Sequence, residues 1–457
     1  MLNIRELGTR KTILAVILFV FFLAIYVFTA APGVYDGDSG EITAAVHNLG
    51  LAHTTGFPLY ILTAKLFTYI VPVSDVAYRL NLFSAFLTAL AIAFVFLMLV
   101  ELKFSATSAF ISSLTLGFGS TIWSHAGAAR VYPLILLISS VLFLIFAKWL
   151  NRRENKFLYW YALIWGIGLG THVLIVPMVI PLIYMLYQKK ARLGDFVKII
   201  PLILAPLVQY IYIPIASARH MLPDFGNVAS FSDFVRYITQ KDYSYKIATG
   251  NIAHLGTFIK ETLGFFSSEF SIVVFLVILI GCVMLFKKNK LLFGITGSIV
   301  AANILIMLLY GSSQDAFTHY RYFFLSYLMM TVPLAFVLES ILQKVLKARS
   351  KTLAMVMPAL LLLVPVIPLV AHAGLDNRHD ASVIPDFAMN ISTSIGNNAI
   401  IITDGDAVTG PLWYLQSTGA MPGVRIIDIN MLGWDWYIQN LHQKYPDTIE
   451  PFRKNQK

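Results

Sequence analysis

The sequence is poor in cysteine and in charged residues, and both shortages limit what the protein can be. Cys282 is the only cysteine among the 457 residues, so no disulfide can form within the chain and its redox compartment stays open. Charged residues make up 13% of the chain, against about 25% in soluble domains. Because ionised groups are costly where a surface faces lipid, this composition predicts an α-helical polytopic membrane protein.

Several common sequence motifs of nucleotide binding and zinc binding are also missing. The sequence contains no P-loop, no GxGxxG, no cysteine-based zinc pattern and no HExxH. The net charge of +10 could indicate a nucleic-acid partner, but the basic residues fall in short clusters between apolar runs, which is typical of topology signals and contacts with membrane lipids. We therefore expect no ATP site and no nucleic-acid partner. The energy for any transfer must come from an activated substrate.

Apolar runs predict about eleven transmembrane helices, since a span needs about 20 apolar residues. The first run is interpreted as a membrane span rather than as a cleaved signal peptide. Glycines and a proline interrupt the fifth and sixth runs, so a broken hairpin is an alternative to two full crossings there. The predicted spans are 13–30, 80–100, 105–122, 131–150, 157–172, 173–187, 197–215, 269–286, 291–310, 322–342 and 352–371.

The distribution of basic residues predicts the orientation of the chain. With the N-terminus in the cytoplasm, the short inner loops contain most of the 34 lysines and arginines, in clusters such as 148–156, 189–198, 287–290 and 344–351. This is the positive-inside pattern. An odd number of spans then places the C-terminus outside, in the cell membrane or in the endoplasmic reticulum of a eukaryote. The inner loops are too short for a domain, so we expect the chemistry on the outer face.

Two units are expected along the chain. The first is a transmembrane domain, 1–371, with outer loops at 31–79 and 216–268. The second is a small extracytoplasmic tail, 372–457. Within the tail, the runs 399–403 and 424–429 have β character, with the turn DGD at 404–406 and a helix start at 411–417 between them. This order predicts a small parallel α/β unit that packs on the outer membrane surface.

Three carboxylates, Asp36, Asp38 and Glu41, follow the first span within six residues. If 39–49 is a helix, Asp38 is its N-cap and Glu41 completes a capping box. The functional alternative is a general base held at the edge of the bilayer, where a raised pKa would let a carboxylate accept a proton from a hydroxyl. A divalent metal ion on these carboxylates is possible, although no complete ligand set is visible.

Histidines and arginines recur at the predicted outer ends of the spans. One such residue would be an ordinary interfacial side chain, but several on one face indicate a binding site for the phosphate of a lipid carrier. Asp315 lies close in sequence to two of them, in a segment whose aromatic residues alone would be explained by an interfacial belt. The recurring residues are His53, Arg79, His125, Arg130, His172, His319 and Arg321.

Three segments of the first outer loop resemble a known family. The motifs GDSGE at 37–41, LGLAH at 49–53 and GFPLY at 56–60 are similar to the signature of domain of unknown function 2723, which includes a eukaryotic transmembrane protein O-mannosyltransferase. Segments of the tail at 402–406, 412–416, 424–428 and 434–438 resemble the C-terminal block of the same family. The family belongs to the GT-C class of polytopic glycosyltransferases, so the resemblance implies a GT-C-like fold.

The resemblance also implies roles for particular residues. In GT-C enzymes an acidic residue of the first outer loop is the usual catalytic candidate and the donor is usually a polyprenyl-phosphate sugar, so Asp38 and Glu41 match the acidic pair and His53 matches the family histidine. Two departures bear on specificity. Thr54 and Thr55 replace two prolines, and Arg130 replaces an expected glutamate.

We therefore expect a membrane glycosyltransferase that moves a sugar, with mannose as the family-level expectation, to a hydroxyl of a protein, a glycan or a lipid. Asp38 would accept the hydroxyl proton. The donor phosphate would be bound by Arg321, His319, Arg79 and His53, because the negative charge on the leaving phosphate has to be stabilised. Two alternatives remain: a transporter or flippase of lipid-linked sugars, which would need polar residues at mid-membrane, and a non-catalytic membrane anchor that presents the tail as a binding module.

Overall fold

A computed structural model gives the fold of the chain and describes residues 4–246, 252–310, 313–348 and 350–448. Helices dominate it, and the strands that it describes are two short ones in the tail. Short 3₁₀ segments lie at Val173–Met178, Ala205–Ile211, Lys241–Lys246, Ser313–Tyr322 and Ile429–Met431. The helices and strands are α1 (Ile4–Phe28), α2 (Ser39–Asn48), α3 (Pro58–Ile70), α4 (Val76–Glu101), α5 (Ala106–Gly117), α6 (Ser120–Ala126), α7 (Tyr132–Arg152), α8 (Asn155–Gly168), α9 (Val179–Lys189), α10 (Leu193–Leu204), α11 (Tyr212–Ala218), α12 (Phe231–Ile238), α13 (Leu255–Phe270), α14 (Ile272–Lys288), α15 (Lys290–Leu309), α16 (Phe324–Lys347), α17 (Lys351–Leu361), α18 (Leu363–His372), α19 (Val383–Ser394), β1 (Ile400–Thr403), α20 (Asp406–Ser417), β2 (Arg425–Asp428) and α21 (Asp435–Lys444).

Within the described residues, seven helices are long and apolar enough to cross a membrane, or up to eight if the bent pair α13 and α14, which meet at 106°, forms one span. The predicted runs 105–122, 157–172 and 173–187 fall on the shorter helices α5, α8 and α9. The prediction of an integral membrane protein is therefore confirmed, whereas the number eleven stays a prediction. The seven long helices are Thr9–Phe28, Val76–Glu101, Tyr132–Arg152, Leu193–Ala218, Lys290–Leu309, Phe324–Lys347 and Thr352–His372.

Helix α4 lies at the centre of the bundle, packed along α7 and α1. Its buried side chains include Ala85, Ala89 and Ala93, one helical turn apart, together with Ser84 and Thr88. Small residues let helix backbones approach closely, which is how helices associate in lipid where hydrophobic burial gives little driving force. The composition of α4 thus explains why this helix is enclosed by others rather than facing lipid.

The tail forms the predicted parallel α/β unit. Strands β1 and β2 pair in parallel, with Ile400 opposite Arg425 and Thr403 opposite Asp428, and α20 connects them. The predicted helix start at 411–417 is corrected, because α20 begins at Asp406 and Pro411 lies inside it. Gly405, at φ +83°, makes the turn from strand to helix, a conformation that glycine adopts at little cost.

The tail packs against the segments predicted as the first two outer loops, rather than standing apart from them. A hydrophobic cluster joins Ala44 of α2, Phe225 of the second loop and Trp413 of α20. Asn440 of α21 also donates a hydrogen bond to the carbonyl of Asp224, at 2.7 Å. These loops and the tail lie together at one end of the bundle, which we call the loop end.

Helices α2 and α20 cross with their backbones in contact. A Cβ atom placed on Gly40 would lie 2.4 Å from the backbone nitrogen of Pro411, and one placed on Gly410 would lie 2.7 Å from that of Glu41. Both distances are too short for any side chain, and the clashing atoms belong to the backbone. The two glycines therefore fix how closely the tail approaches the first outer loop.

Replacing Gly40 by alanine is expected to push α20 away from α2 and to destabilise the docked tail by about 1–3 kcal/mol, the usual cost of overpacking. Thermal unfolding in detergent and limited proteolysis of the tail would measure it. Gly264→Ala is the matched control, because a Cβ there meets nothing within 4 Å. Equal melting temperatures and equal protease resistance for the two variants would contradict the expected clash.

Candidate active site

A cavity of about 400 Å³ opens at the loop end. Its walls come from both predicted outer loops, the ends of several long helices and the tail. The apolar lining residues include Ile306, Met307 and Leu309 at the end of α15. The charged and polar lining residues include Asp38, Glu41, His53, His172, Arg321 and Asp406. Residues from distant parts of the sequence therefore converge on one space.

Asp38 occupies the N-cap position of α2 but does not cap the helix. Its side chain makes no hydrogen bond to the first turn. Instead, its Oδ2 lies 3.3 Å from Nη1 of Arg321 and 4.0 Å from Nη1 of Arg130. The capping-box interpretation of Asp38 and Glu41 is therefore wrong, because the carboxylate of Asp38 is used by two arginines.

These arginines decide the charge of Asp38. Burial by itself would raise the pKa of this carboxyl, but Arg321 first, then Arg130, His53 and His125, hold it well below its usual range. The expectation of a raised pKa is thus wrong for Asp38. A carboxylate with a low pKa stays ionised at neutral pH and is a weak proton acceptor.

Glu41 and His53 form a second ion pair beside the first. Both carboxylate oxygens of Glu41 lie 2.9 Å from Nδ1 of His53, and the backbone N–H of His53 donates to the same carboxylate at 2.6 Å. Burial alone would lower the pKa of His53, but Glu41 raises it to about 9. His53 is therefore a cation at neutral pH, and Glu41 fixes its position in the cavity.

Arg130 lies behind Asp38, where the family resemblance would place a glutamate. Its Nη2 donates to the carbonyl of Asp36. Gly37 makes the turn there at φ +59°, and a Cβ on it would lie 3.3 Å from the guanidinium. Arg130 therefore stabilises the acidic loop. Its positive charge, where the resemblance places a negative one, is balanced by the carboxylate of Asp38.

His172 lines the cavity through its ring. Its Nδ1 accepts a hydrogen bond from the backbone N–H of Leu174 at 3.2 Å, so the proton of the neutral ring is on Nε2. The ring stacks on Phe57, with centroids 5.7 Å apart, and lies 6.3 Å from the ring of Tyr322. These contacts hold the imidazole at the wall with one N–H group available.

Three other predicted site residues, Asp36, His125 and His319, are not among the residues that line this cavity. The side chain of Asp36 accepts the backbone N–H of Gly37. His125 is buried among Tyr132, Tyr320 and Phe324, and His319 is buried beside Tyr322. The side chain of Asp315 lies outside the described residues.

Arg79 has a different place from the one expected. Its guanidinium donates to the carbonyls of Val73, Ser74 and Thr68, at 2.9, 2.7 and 3.2 Å. These carbonyls belong to the end of α3 and the turn that follows it, and the residues lining the cavity do not include Arg79. The side chain therefore stabilises this turn rather than reaching a donor phosphate.

The carboxylates of the first loop do not form a metal-binding set. Asp38 is paired with arginines, Glu41 with His53, and Asp36 with its own loop. Among the described residues, no group of three or more His, Cys, Asp or Glu side chains is arranged to hold a metal ion. The donor set as it stands does not fit the divalent ion that the sequence left open.

Comparison with known proteins shows which family the chain resembles. The N-terminal domain of protein O-mannosyl-transferase TMEM260 matches residues 38–194, and TMEM260-associated domain 2 matches residues 384–451. The chain is similar to TMEM260 proteins in both segments. The first match begins at Asp38 and the second contains Asp406, whereas Arg321 lies between the two matched segments.

Curated members of the TMEM260 family align along nearly the whole chain. Protein O-mannosyl-transferase TMEM260 of Mus musculus is 23% identical over 96% of this chain and 65% of its own length. Protein O-mannosyl-transferase tmem260 of Dictyostelium discoideum is 20% identical over 92% of this chain and 58% of its own length. The chain thus spans less than two thirds of each of these relatives.

Solved structures show that this TMEM260 relative has the GT-C membrane glycosyltransferase fold. ArnT from Cupriavidus metallidurans, bound to undecaprenyl phosphate, superposes with a TM-score of 0.57 at 10% identity, over 97% of this chain and 89% of ArnT. The Archaeoglobus fulgidus oligosaccharyltransferase, tethered with an acceptor peptide, superposes with a TM-score of 0.52 at 12% identity, over 92% of this chain and 64% of that one. The expected GT-C-like fold is confirmed.

Asp406 is a charged cavity residue that is absent from the predicted site. Its sequence context predicts only the turn at 404–406, in a tail segment that resembles the C-terminal block of the family. A usable signal was present, because Asp406 follows β1, and ligands of parallel α/β units bind outside the carboxyl ends of the strands. The sequence does not show how the tail docks. This docking brings the carboxyl end of β1 next to the first outer loop.

Proposed function

We propose that this protein is a membrane glycosyltransferase that moves a sugar, with mannose as the choice that its TMEM260 relatives suggest, from a polyprenyl-phosphate donor to an acceptor hydroxyl. The observation that carries the proposal is the mixed lining of the cavity. It contains the apolar residues Ile306, Met307 and Leu309 as well as the basic residues Arg321 and His53. A polyprenyl-phosphate sugar likewise combines an apolar chain with a charged phosphate and a sugar.

The cations of the site support phosphate binding. Among the described residues, Nε of Arg321 and Nη1 of Arg130 are buried without a hydrogen-bond partner. Such donors are costly unless an anion or another acceptor reaches them. Arg321 lines the cavity and would bind the phosphate directly, while His53, protonated because its pKa is about 9, would add a second positive charge.

These charges explain how the site could promote transfer. When the bond between the sugar C1 and the phosphate oxygen breaks, negative charge develops on the leaving phosphate. Fixed cations aimed at that charge stabilise the transition state more than the ground state. Glu41 would keep His53 in place, and Asp38 would keep Arg321 in place, so both acidic residues contribute by positioning the cations.

The comparisons support the choice of donor and acceptor. The mouse and Dictyostelium relatives are named protein O-mannosyl-transferases, and the structure of ArnT holds undecaprenyl phosphate. We therefore take a protein hydroxyl, from serine or threonine, as the acceptor. The positive-inside pattern supports an extracytoplasmic loop end with the N-terminus in the cytoplasm.

The direct test is transfer of radiolabelled mannose from polyprenyl-phosphate-mannose in proteoliposomes, with a mixture of short serine- and threonine-containing peptides as acceptors. The expected result is labelled peptide that depends on the protein. A parallel reaction with EDTA measures whether a divalent ion is needed. Donors that carry other hexoses form the next arm, and absence of transfer from every donor would overturn the proposed function.

A further inference from the structure

We propose that helix α13 is an interfacial helix, which lies on the surface of the lipid bilayer at the loop end and through that contact holds Arg321 at the cavity. The partner of α13 is the level of the bilayer at which headgroups meet acyl chains. The contact with lipid follows from the geometry of α13 alone, whereas its effect on sugar transfer rests on the proposed function.

The angle between α13 and α14 is the first observation. Helix α14 exposes apolar side chains such as Leu276 and Ile280 and has Lys287 and Lys288 in its last turn, which is typical of a span that faces lipid and ends among the headgroups. The two helices meet at 106° on either side of Ser271. With α14 across the bilayer, α13 therefore lies close to the plane of the membrane surface.

The exposed surface of α13 is divided between apolar and polar residues. Leu255, Ile259 and Leu263 follow one another at intervals of four residues, so they lie along one side of the helix, and they are 47%, 49% and 51% exposed. Thr257 and Lys260 are exposed on the other side. A helix with an apolar stripe on one side and a polar, basic face on the other is typical of the membrane interface, where the stripe enters the acyl boundary.

The remaining side of α13 packs on the segment that carries Arg321. The ring of Phe265 lies 6.2 Å from that of Tyr320, and the ring of Phe266 lies 5.2 Å from that of Phe323, measured between centroids. Tyr320 and Phe323 flank Arg321 in the chain. The position of α13 therefore bears directly on the segment 320–323, and Arg321 within it lines the cavity.

The C-terminal end of α13 is fixed to the bundle. The buried carboxylate of Glu269 accepts the backbone N–H groups of Thr121 at 2.7 Å and Ile122 at 3.4 Å, two groups that have no partner within the first turn of α6. The apolar stripe begins at the opposite end, with Leu255, and it stays exposed within the described part of the chain. Contact with lipid removes the stripe from water, so the bilayer stabilises the end of α13 that Glu269 does not hold.

Spin labels on single cysteines test the contact with lipid. Because Cys282 is the only cysteine of the chain, Cys282→Ser gives a background in which each label has one position. Ile259→Cys and Leu263→Cys place it on the apolar stripe, and the matched control Lys260→Cys places it on the polar face. In vesicles of phosphatidylcholine and phosphatidylglycerol, we expect the two stripe labels to collide more with oxygen, which concentrates in lipid, and the control label to collide more with a water-soluble nickel chelate.

Two results of this experiment would overturn the contact with lipid. Equal accessibility to the two reagents at all three positions would mean that α13 does not lie in the interface. Low accessibility of the stripe labels to both reagents would mean that a protein, such as a second copy of the chain, covers the stripe instead. Neither result depends on whether the protein transfers sugar.

The effect on Arg321 is tested in the transfer assay above with the double variant Ile259→Gln/Leu263→Gln. We expect the donor KM to rise by roughly 3–10-fold, because apparent affinity falls with the fraction of molecules whose binding residues are in place. The KM for the acceptor peptides should stay unchanged. The matched control is Thr257→Gln/Lys260→Gln, which changes two exposed residues of the same helix and should keep the wild-type donor KM.

The remaining outcomes separate the two proposals. An unchanged donor KM for the stripe variant, or an equal rise for both double variants, would overturn the link between α13 and Arg321. Equal melting temperatures in detergent would show that both variants fold, as expected for changes at exposed positions. If the wild type transfers no sugar from any donor, the proposed function fails, and the spin labels alone decide whether α13 contacts the bilayer.

Discussion

Replacing Arg321 by glutamine is expected to reduce sugar transfer by roughly 10²–10³-fold, the usual effect of removing one group that stabilises a developing negative charge. Arg321 lines the cavity, pairs with Asp38 at 3.3 Å and has a buried Nε without a partner among the described residues. Glutamine keeps much of the length but loses the charge and the planar fork that can bind two phosphate oxygens. Both kcat and the KM for the donor should be affected, and initial rates against donor concentration would measure them.

Two other arginines at the loop end serve as controls. Arg219→Gln changes an exposed side chain and should leave transfer unchanged. Arg79→Gln removes three hydrogen bonds to the turn after α3 and should lower the melting temperature, while the folded enzyme keeps its donor KM. If Arg79→Gln raised the donor KM as much as Arg321→Gln, Arg79 would be a phosphate ligand, and its role as a side chain that only stabilises the turn after α3 would be wrong.

Asp38→Asn is expected to reduce transfer by at least about 100-fold, because the positioning of Arg321 depends on this carboxylate. Without it, Arg321 and Arg130 face each other across a neutral side chain, and their repulsion displaces the phosphate-binding group. The variant should also melt at a lower temperature than the wild type. Transfer rates and thermal unfolding in detergent would measure the two effects.

The pH dependence of the melting temperature gives an independent measure of the ion pair between Asp38 and Arg321. Since the pKa of Asp38 is lowered in the folded protein, its contribution to stability is present above the ordinary value of 3.8 and is lost as the pH falls below it. The difference in melting temperature between wild type and Asp38→Asn should therefore narrow in acid. Asp36→Asn changes a carboxylate of the same loop that, within the described part of the chain, accepts a hydrogen bond from its neighbour Gly37 alone, and it should match the wild type in rate and stability. Full activity of Asp38→Asn would contradict the positioning role.

The sequence by itself determined the parts of this protein that depend on local pattern. Long apolar runs such as 80–100 and 131–150 are helices in lipid, because a continuous apolar run of about 20 residues satisfies its backbone hydrogen bonds within itself only as a helix. The β character of the runs 399–403 and 424–429, with a connecting segment between them, was enough to predict the parallel pair of strands in the tail. The motif at 37–41 and the tail motifs identified the family because they are short, contiguous strings.

Tertiary structure alone decided which polar groups share the site. Asp38 and Arg321 are 283 residues apart, and nothing local indicates that their pairing would lower the pKa of Asp38 rather than raise it. Arg79 and Arg321 look alike in sequence, yet one is bound by turn carbonyls and the other faces the cavity. Asp406 reaches the cavity only because Gly40 and Gly410 let two helix backbones touch. Pairing, burial and access depend on packing between distant segments, and that information is not carried by any single stretch of the chain.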